Sequence, residues 1–238
     1  MQPWHLPDTY SLVKAAHGRE QEQLVSASVR SVVDRKAFAA YHVHEALRLH
    51  RTFERRHLSG KLLLDLHTQE GDKQREAFEV LMVKAGAHSL AAIQSVHSLT
   101  DLLAHAVYFA TGQNLQPTAL PERGISIGEV GRLLRKNSQY SALQKHLGSA
   151  TAGKGWRHLA AVCNVSKHKN VVRASLSEDW TGKRKNFREL HISSFERDEV
   201  AFPAVSLQEL IAPEYDRLSL VILAVGHELN SALRADAA

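Results

Sequence analysis

The stretch around which the chain is organised is residues 155–172, GWRHLAAVCNVSKHKNVV. Read as a helix, this stretch places apolar side chains at positions i, i+3, i+4 and i+7, the spacing of a stripe that faces a core. The four side chains are Trp156, Leu159, Ala160 and Cys163. The spacing therefore predicts an amphipathic helix with one buried side.

The same predicted helix has a polar edge formed by Arg157, Asn164 and His168. At about 100° per residue, these positions fall within roughly 40° of one another around the helix axis. A cation, an amide and an imidazole then lie along one edge, beside the apolar stripe. This edge is the first candidate for a chemical site.

Within this helix, the segment Cys163-Asn164-Val165-Ser166-Lys167-His168 resembles the motif of the HEPN superfamily. In that motif an arginine, usually followed by asparagine or another polar residue, precedes a histidine on the same helix. Asn164 and His168 match, whereas Cys163 stands at the arginine position. The superfamily consists of helical bundles, many of which cleave RNA as toxins or defence proteins, while others are inactive binding modules. The resemblance implies a helical fold and an RNA- or defence-related role.

In an active member, the resemblance implies metal-independent RNA cleavage that needs no cofactor. His168 would act as general acid or base near neutral pH. Asn164 would position a phosphate or a 2′-hydroxyl, and Lys167 or Arg157 would offset negative charge. A thiol at Cys163 does not supply the fixed positive charge that an arginine brings to a phosphate. The alternative is that Asn164 and His168 form a buried polar network that locks helices together.

A second constellation is His97, Asp101 and His105, spaced i, i+4 and i+8 in an otherwise apolar stretch. Successive members drift by only about 40° around a helix axis, so they form one polar stripe. We expect a polar network in which the carboxylate accepts an imidazole N–H and to which His168 contributes from another helix. The alternatives are solvent exposure and a metal site shared with His168. The prediction includes no metal.

Other histidines and the tryptophans have simpler interpretations. The histidines of HVHEALRLH lack the His-Glu-x-x-His spacing of a zinc protease and are expected on a helix surface. They are His42, His44 and His50. The tryptophans are expected to be packing anchors. They are Trp4, Trp156 and Trp180.

The net charge of +5 is unevenly distributed along the chain. Residues 132–197 contain fourteen Lys or Arg and four Asp or Glu, which gives +10, so the rest of the chain carries −5. The triplet Lys183-Arg184-Lys185 lies in this region, in a predicted loop. Such an asymmetry favours an anionic partner such as RNA, and a solvated basic face is the alternative.

The composition, 44% apolar and 23% charged, is typical of a globular protein, and 238 residues can bury a sizeable core. The single cysteine, Cys163, excludes an intrachain disulfide and fits a reducing compartment. No apolar run is long enough to span a bilayer, and the first residues do not form a signal peptide. We therefore expect a cytoplasmic protein with no membrane contact.

Helical periodicity and capping spacings place the helices, and β-branched or aromatic runs place the strands. The predicted helices span residues 20–57, 72–111, 127–136, 138–147, 155–172 and 214–233. The predicted strands span residues 173–176, 187–195 and 200–205. The last helix is expected to start after Pro213, since proline suits a first helical turn.

These patterns predict a mainly α fold, a helical bundle with two long helices and a small β-hairpin or meander (173–205) before the last helix. The bundle is expected to be a single domain over residues 1–238. The leading functional prediction is a HEPN-like protein with an RNA- or defence-related role, either a ribonuclease or an inactive relative. The alternatives are a non-enzymatic interaction module and, third, a metal-binding helical bundle. RNA and a second copy of the chain, forming a homodimer through the long helices, are the expected partners.

Overall fold

The computed structural model describes residues 2–67 and 72–236 and is 72% helical. Within those ranges the chain forms seven α-helices, of which the two longest have 39 residues each. The helices are α1 (Leu6–His17), α2 (Arg19–His57), α3 (Asp72–Ala110), α4 (Ile127–Leu134), α5 (Ser141–Ala150), α6 (Lys154–His168) and α7 (Leu207–Asp236). Met1 and residues 237–238, the ends of the predicted single domain, lie outside the described residues.

Short strands lie between α6 and α7. They are β1 (Ala174–Glu178), β2 (Arg188–Ile192), β3 (Phe195–Arg197), β4 (Val200–Phe202) and β5 (Val205–Ser206). β2 pairs antiparallel with both β1 and β5, which gives a three-stranded sheet of order β1-β2-β5. β3 and β4 form a separate hairpin. Along β2, the side chains of Arg188, Leu190 and Ile192 are buried and alternate with half-buried ones.

The predicted fold class is confirmed, because the chain is mainly helical, with two long helices and a small antiparallel strand region before the last helix. The long helices match the predicted ranges to within one residue at each end. α6 ends at His168 and not at residue 172. There the Asn170 N–H returns to the Val165 carbonyl at 3.1 Å, and the Val172 N–H donates to Ser166 Oγ at 3.2 Å, so the chain leaves the helix before β1.

α7 begins at Leu207, directly after β5, and the prediction of a start at residue 214 is wrong. The spacing Ser206-Leu-Gln-Glu209 is that of a capping box, and this signal prevails over Pro213. Pro213 lies inside the helix, where it gives up one main-chain hydrogen bond because proline has no N–H. Leu207, Leu210 and Ile211 are buried, and their burial offsets that loss.

Contacts divide the chain into two compact units. The first unit comprises Met1–Lys36, Val96–Arg157 and Pro213–Ala238, and the second comprises Ala37–Ser95 and His158–Ala212. α2, α3, α6 and α7 each contribute residues to both units. The single domain expected from the sequence stays a prediction.

In the first unit a buried polar contact joins α1 to α7. Thr9 Oγ1 donates to Asn230 Oδ1 at 2.6 Å, and Trp4 Nε1 donates to Thr9 Oγ1 at 2.8 Å. Asn230 Nδ2 donates in turn to the His5 carbonyl at 3.1 Å. Thr9 and Asn230 are both buried, and each therefore has the partner that a buried polar group requires. These bonds hold the N-terminal segment beside the last helix.

In the second unit, α2 and α3 run antiparallel. His42 of α2 contacts His88 of α3, and Phe53 contacts Phe78 with ring centroids 5.7 Å apart, so the residue numbers change in opposite directions along the two helices. Buried apolar side chains of this unit include Ala39, Ala46, Phe53, Leu81, Ala85, Leu159, Cys163, Leu190 and Ile192. The antiparallel helices, the second part of α6 and the sheet thus contribute to one core.

Gly226 of α7 lies against the indole of Trp4, and a Cβ added at Gly226 would overlap the indole ring. We expect Gly226→Ala to lower the free energy of unfolding by about 1–3 kcal/mol, the usual effect of overpacking. The matched control is Gly128→Ala in α4, where a Cβ would meet no atom within 4 Å. That control should raise the free energy by up to about 1 kcal/mol through helix propensity. Urea unfolding measures both changes, and effects of the same sign would contradict the Trp4 contact.

Candidate functional site

The structure places the four predicted catalytic residues on α6 and exposes three of them. Arg157, Lys167 and His168 are exposed, and Asn164 is half-buried. Arg157 belongs to the first unit, and the other three belong to the second. Because His168 is exposed, it is not part of a buried network with Asn164. Its imidazole is accessible to a ligand.

Cys163, which stands at the arginine position of the HEPN motif, is 0% exposed. It lies on the predicted apolar stripe with Trp156 and Leu159, which are also buried, whereas Ala160 is half-buried. The thiol therefore faces the core. This position of the motif presents no cation to a ligand.

Beyond Asn164, the end of α6 presents a set of exposed basic side chains, Lys167, His168, Lys169 and Arg173, which we call the α6 basic end. Residues 164–177 contain no Asp or Glu. Among the residues that the structure describes, none of the four side chains forms an ion pair or a hydrogen bond. Positive charge at a helix C-terminus is favourable because the carbonyl ends of the helix carry partial negative charge. That effect explains Lys167, whereas Lys169 and Arg173 lie beyond the helix.

The predicted stripe His97, Asp101 and His105 lies on α3 in the first unit. His97 is half-buried and stacks on Trp156, with ring centroids 5.4 Å apart and an interplanar angle of 11°. His105 Nδ1 lies 2.8 Å from the main-chain carbonyl of Asp101, and the Asp101 side chain is exposed. The contact shown is thus with the main chain and not with the carboxylate. The wider polar network stays a prediction.

Across residues 2–67 and 72–236, no group of three or more His, Cys, Asp or Glu side chains is arranged to hold a metal ion. His42 and His88 form a pair, with their Nδ1 atoms 2.9 Å apart, and their role depends on which nitrogen carries the proton. His44 is exposed, as predicted. His50 is 6% exposed, so its predicted surface position is wrong. It falls on the buried stripe of α2 between Ala46 and Phe53.

The second unit contains a buried arginine that joins α2 to the sheet. Arg188 of β2 is 8% exposed, and its Nε donates to Glu178 Oε1 at 2.9 Å. Its Nη1 donates to Glu54 Oε1 at 3.3 Å and to the Leu58 carbonyl at 3.4 Å. Its Nη2 donates to the Lys61 carbonyl. All the guanidinium nitrogens are therefore occupied by groups of the protein.

Beside Arg188 lies a polar cleft of about 350 Å³ between α2, β2 and the start of α7. Its lining includes His50, Arg51 and Glu54 of α2 and Lys185 of the loop before β2. His50 Nε2 is buried, has no hydrogen-bond partner among the described residues and lies 4.0 Å from Glu54 Oε2. The cleft lies wholly within the second unit. The sequence analysis did not identify it.

The loop that supplies Lys185 is held in shape by Asp179. The Asp179 carboxylate accepts hydrogen bonds from Thr181 Oγ1 at 2.6 Å and from the main-chain N–H of Arg184 at 2.7 Å. These bonds, the Thr181 hydroxyl first, lower the pKa of Asp179 to about 2. Trp180 of this loop is 68% exposed, so its predicted role as a packing anchor is wrong. Its indole meets the ring of Phe187 edge-on, with ring centroids 5.4 Å apart.

Burial lowers the pKa of several histidines in the second unit. For His50 burial is the largest cause, Glu54 raises the pKa in part, and Arg51 lowers it further. For His191 burial acts first, followed by the cation of Arg184, whose Nη1 lies 3.0 Å from His191 Nε2. These imidazoles are therefore neutral at pH 7. Burial also lowers the pKa values of His42 and His158.

No family model, no curated protein and no solved structure matches this chain. None of the helices in the described ranges has the length and apolar character needed to cross a bilayer.

Two signals in the sequence could have identified the cleft. His50 interrupts an apolar helical stripe, and a polar side chain in that position requires a partner or a ligand. Arg188 alternates with Leu190 and Ile192 in a predicted strand, which places a cation on a buried face. Apart from Glu178 on the neighbouring strand, the partners of Arg188 come from a distant part of the chain, at the end of α2, and have no local signature.

We expect Arg188→Met to lower the free energy of unfolding by about 3–5 kcal/mol, because it leaves the carboxylate of Glu178 buried without its cation. Adding Glu178→Gln to this variant should recover part of the loss, since no buried charge is then unpaired. The control Arg48→Met breaks the more exposed ion pair with Glu45 and should cost much less, because solvent screens that pair. Equal losses in the two single variants, measured by urea unfolding, would contradict the role of Arg188.

The lowered histidine pKa values predict that stability falls in mild acid. The folded chain binds protons at these histidines less tightly than the unfolded chain does. The contribution of the histidines to the free energy of unfolding is therefore complete above a pH of about 6.5 and is lost as the pH falls below that value. His50→Leu removes one of these groups and should flatten the dependence of the unfolding free energy on pH between neutral and mildly acidic buffers. An unchanged slope in that variant would show that His50 is not buried as a neutral group.

Proposed function

We propose that this chain is a HEPN-like helical protein that binds RNA through the α6 basic end without cleaving it. The observation that supports this function is the exposure of Lys167, His168, Lys169 and Arg173 with no acidic partner in the described part of the chain. Unpaired cations on an ordered helix end attract phosphates, and releasing counterions from a nucleic acid supplies most of the non-specific affinity. Asn164, half-buried one turn before His168, adds an amide that can bond a phosphate or a 2′-hydroxyl.

The absence of cleavage follows from the position of Cys163 on α6. In-line attack on a phosphate builds negative charge that an arginine can hold with two parallel hydrogen bonds. Cys163 is an apolar, buried thiol, and Lys167 is a point charge without that fork geometry. His168 could supply general acid–base catalysis only, and that alone contributes about 10²–10⁴-fold. Binding is therefore the proposed activity.

Substituting three cations of the α6 basic end tests the proposal. Lys167→Ala, Lys169→Ala and Arg173→Ala together should weaken binding of a labelled single-stranded RNA at least tenfold near physiological salt. Removing three phosphate contacts should also lower the slope of log K against log salt by about 2, since each contact contributes about 0.7 for a single strand. Fluorescence anisotropy over a salt series measures both quantities.

The matched control removes the same charge from exposed positions in the first unit, with Arg135→Ala, Lys136→Ala and Lys145→Ala. This triple variant should bind RNA nearly as well as the wild type. Equal losses in the two triple variants would mean that net charge, and not the α6 basic end, attracts the RNA.

Incubation of an RNA pool with the protein and EDTA tests the absence of cleavage. Intact RNA is expected for the wild type and for His168→Ala. Cleavage that resists EDTA and disappears in His168→Ala would instead make this chain a ribonuclease despite Cys163.

A non-enzymatic interaction module is the second candidate function. It is favoured by an open apolar groove in the second unit, where Val83 of α3 and Val171 after α6 are 74% and 58% exposed. In this function the groove would pack against a second copy of the chain, in agreement with the expected homodimer. A dimer that Val83→Glu converts to monomers in light scattering, together with no RNA binding, would favour this function over the first.

A further inference from the structure

We propose that the polar cleft of the second unit binds a phosphate-bearing ligand of mononucleotide size. Arg51 and Lys185 would contact its phosphate, and His50 Nε2 would form a hydrogen bond to it. The cleft and the α6 basic end share no residue. The proposal therefore does not depend on RNA binding.

His50 supplies the first argument, because it is a buried polar side chain that lines the cleft. Its side chain is 7% exposed, its Nε2 is buried, and no hydrogen-bond partner for that atom exists among the described residues. A buried polar atom without a partner costs about 1–3 kcal/mol of stability, so such an atom commonly marks a bound water, ion or ligand. His50 is one of the residues that line the cleft, so we infer that a ligand bound there supplies the missing hydrogen bond.

The charges around the cleft supply the second argument. Arg188 is fully occupied by Glu178, Glu54 and two carbonyls, and in turn it compensates the Glu54 carboxylate. Arg51 and Lys185 have no carboxylate partner in the described parts of the chain. Glu189 is the remaining acid in the lining, and it accepts a hydrogen bond from Asn186 Nδ2 at 3.3 Å. Arg51 and Lys185 are therefore the two cations of the lining that no carboxylate of the described residues contacts, and both are available to the phosphate of a ligand.

Size and shape limit the ligand. About 350 Å³ lies at the lower end of the range for small-molecule sites, which suits a mononucleotide better than a dinucleotide or a polymer. The lining adds Phe187, an aromatic ring that is 41% exposed and so presents a surface on which a base can stack. Asn186 and Gln208 offer side-chain amides to ribose hydroxyls or base edges.

Hydrogen bonds order the loop that carries Lys185. Asp179 fixes the loop before Lys185 through its bonds to Thr181 and to the Arg184 main chain. Arg184 Nη1 also donates to Ser177 Oγ at 2.8 Å, which ties the loop to β1. A cation on an ordered loop loses less conformational freedom on binding than one on a mobile loop, so the affinity per contact is higher.

Calorimetric titration of the full chain with adenosine 5′-monophosphate, inorganic phosphate and adenosine tests the proposal. The mononucleotide should bind about tenfold more tightly than phosphate, and adenosine should bind weakly. Arg51→Ala and Lys185→Ala should each weaken mononucleotide binding about tenfold, the effect of losing one charge-assisted hydrogen bond. His50→Leu should also weaken binding while leaving the melting temperature at pH 7.5 unchanged or raised, since the apolar side chain needs no partner.

The matched control is Arg55→Ala, which removes an exposed cation one turn further along α2 that does not line the cleft. It should leave mononucleotide binding within about twofold of the wild type, and an equal loss in Arg51→Ala and Arg55→Ala would refute the site. No binding of either phosphate compound at millimolar concentration would refute it as well. Equal affinities for inorganic phosphate and the mononucleotide would overturn the nucleotide assignment and leave a free-phosphate site.

Discussion

The buried guanidinium of Arg188 is the interaction on which the second unit depends. Arg188 and Glu178 face each other across the β1–β2 pair, and the same guanidinium donates to Glu54 and to two carbonyls at the end of α2. One side chain therefore fixes the register of two strands and their position against a long helix. Burying a charge costs free energy unless the charge is paired and hydrogen-bonded. Here two carboxylates and two carbonyls supply the partners of Arg188. This requirement for several partners at once gives the contact its geometric specificity.

The proposed site follows from the same contact. Glu54 is held in an ion pair with Arg188, and no carboxylate of the described residues forms an ion pair with Arg51 or Lys185. Because the end of α2 is held against β2, His50 lies buried at the wall of a cleft and not within a solid core. The Arg188 contacts and the polar cleft thus both result from the packing of the end of α2 against β2.

Periodicity was sufficient to predict the two long helices, since α2 and α3 repeat apolar residues over about ten turns and few breakers interrupt them. It failed where two local signals competed, as at the start of α7, where the burial of Leu207 and Leu210 outweighs the cost of Pro213. For the site, the sequence pointed to residues of α6, whose role stays a prediction, and it missed His50 and Arg188. The surroundings of these two residues are assembled from segments more than a hundred residues apart, and no local pattern encodes such contacts.

The lone cysteine also provides a built-in reporter of motion. Cys163 is fully buried on the inner side of α6, and the chain has no other thiol. A thiol reagent can therefore modify the protein only when α6 separates from its core, and the labelling rate measures how often that opening occurs. Comparing this rate with the rate of global unfolding would show whether α6 opens on its own, and hence how firmly the α6 basic end is held before it meets an anion.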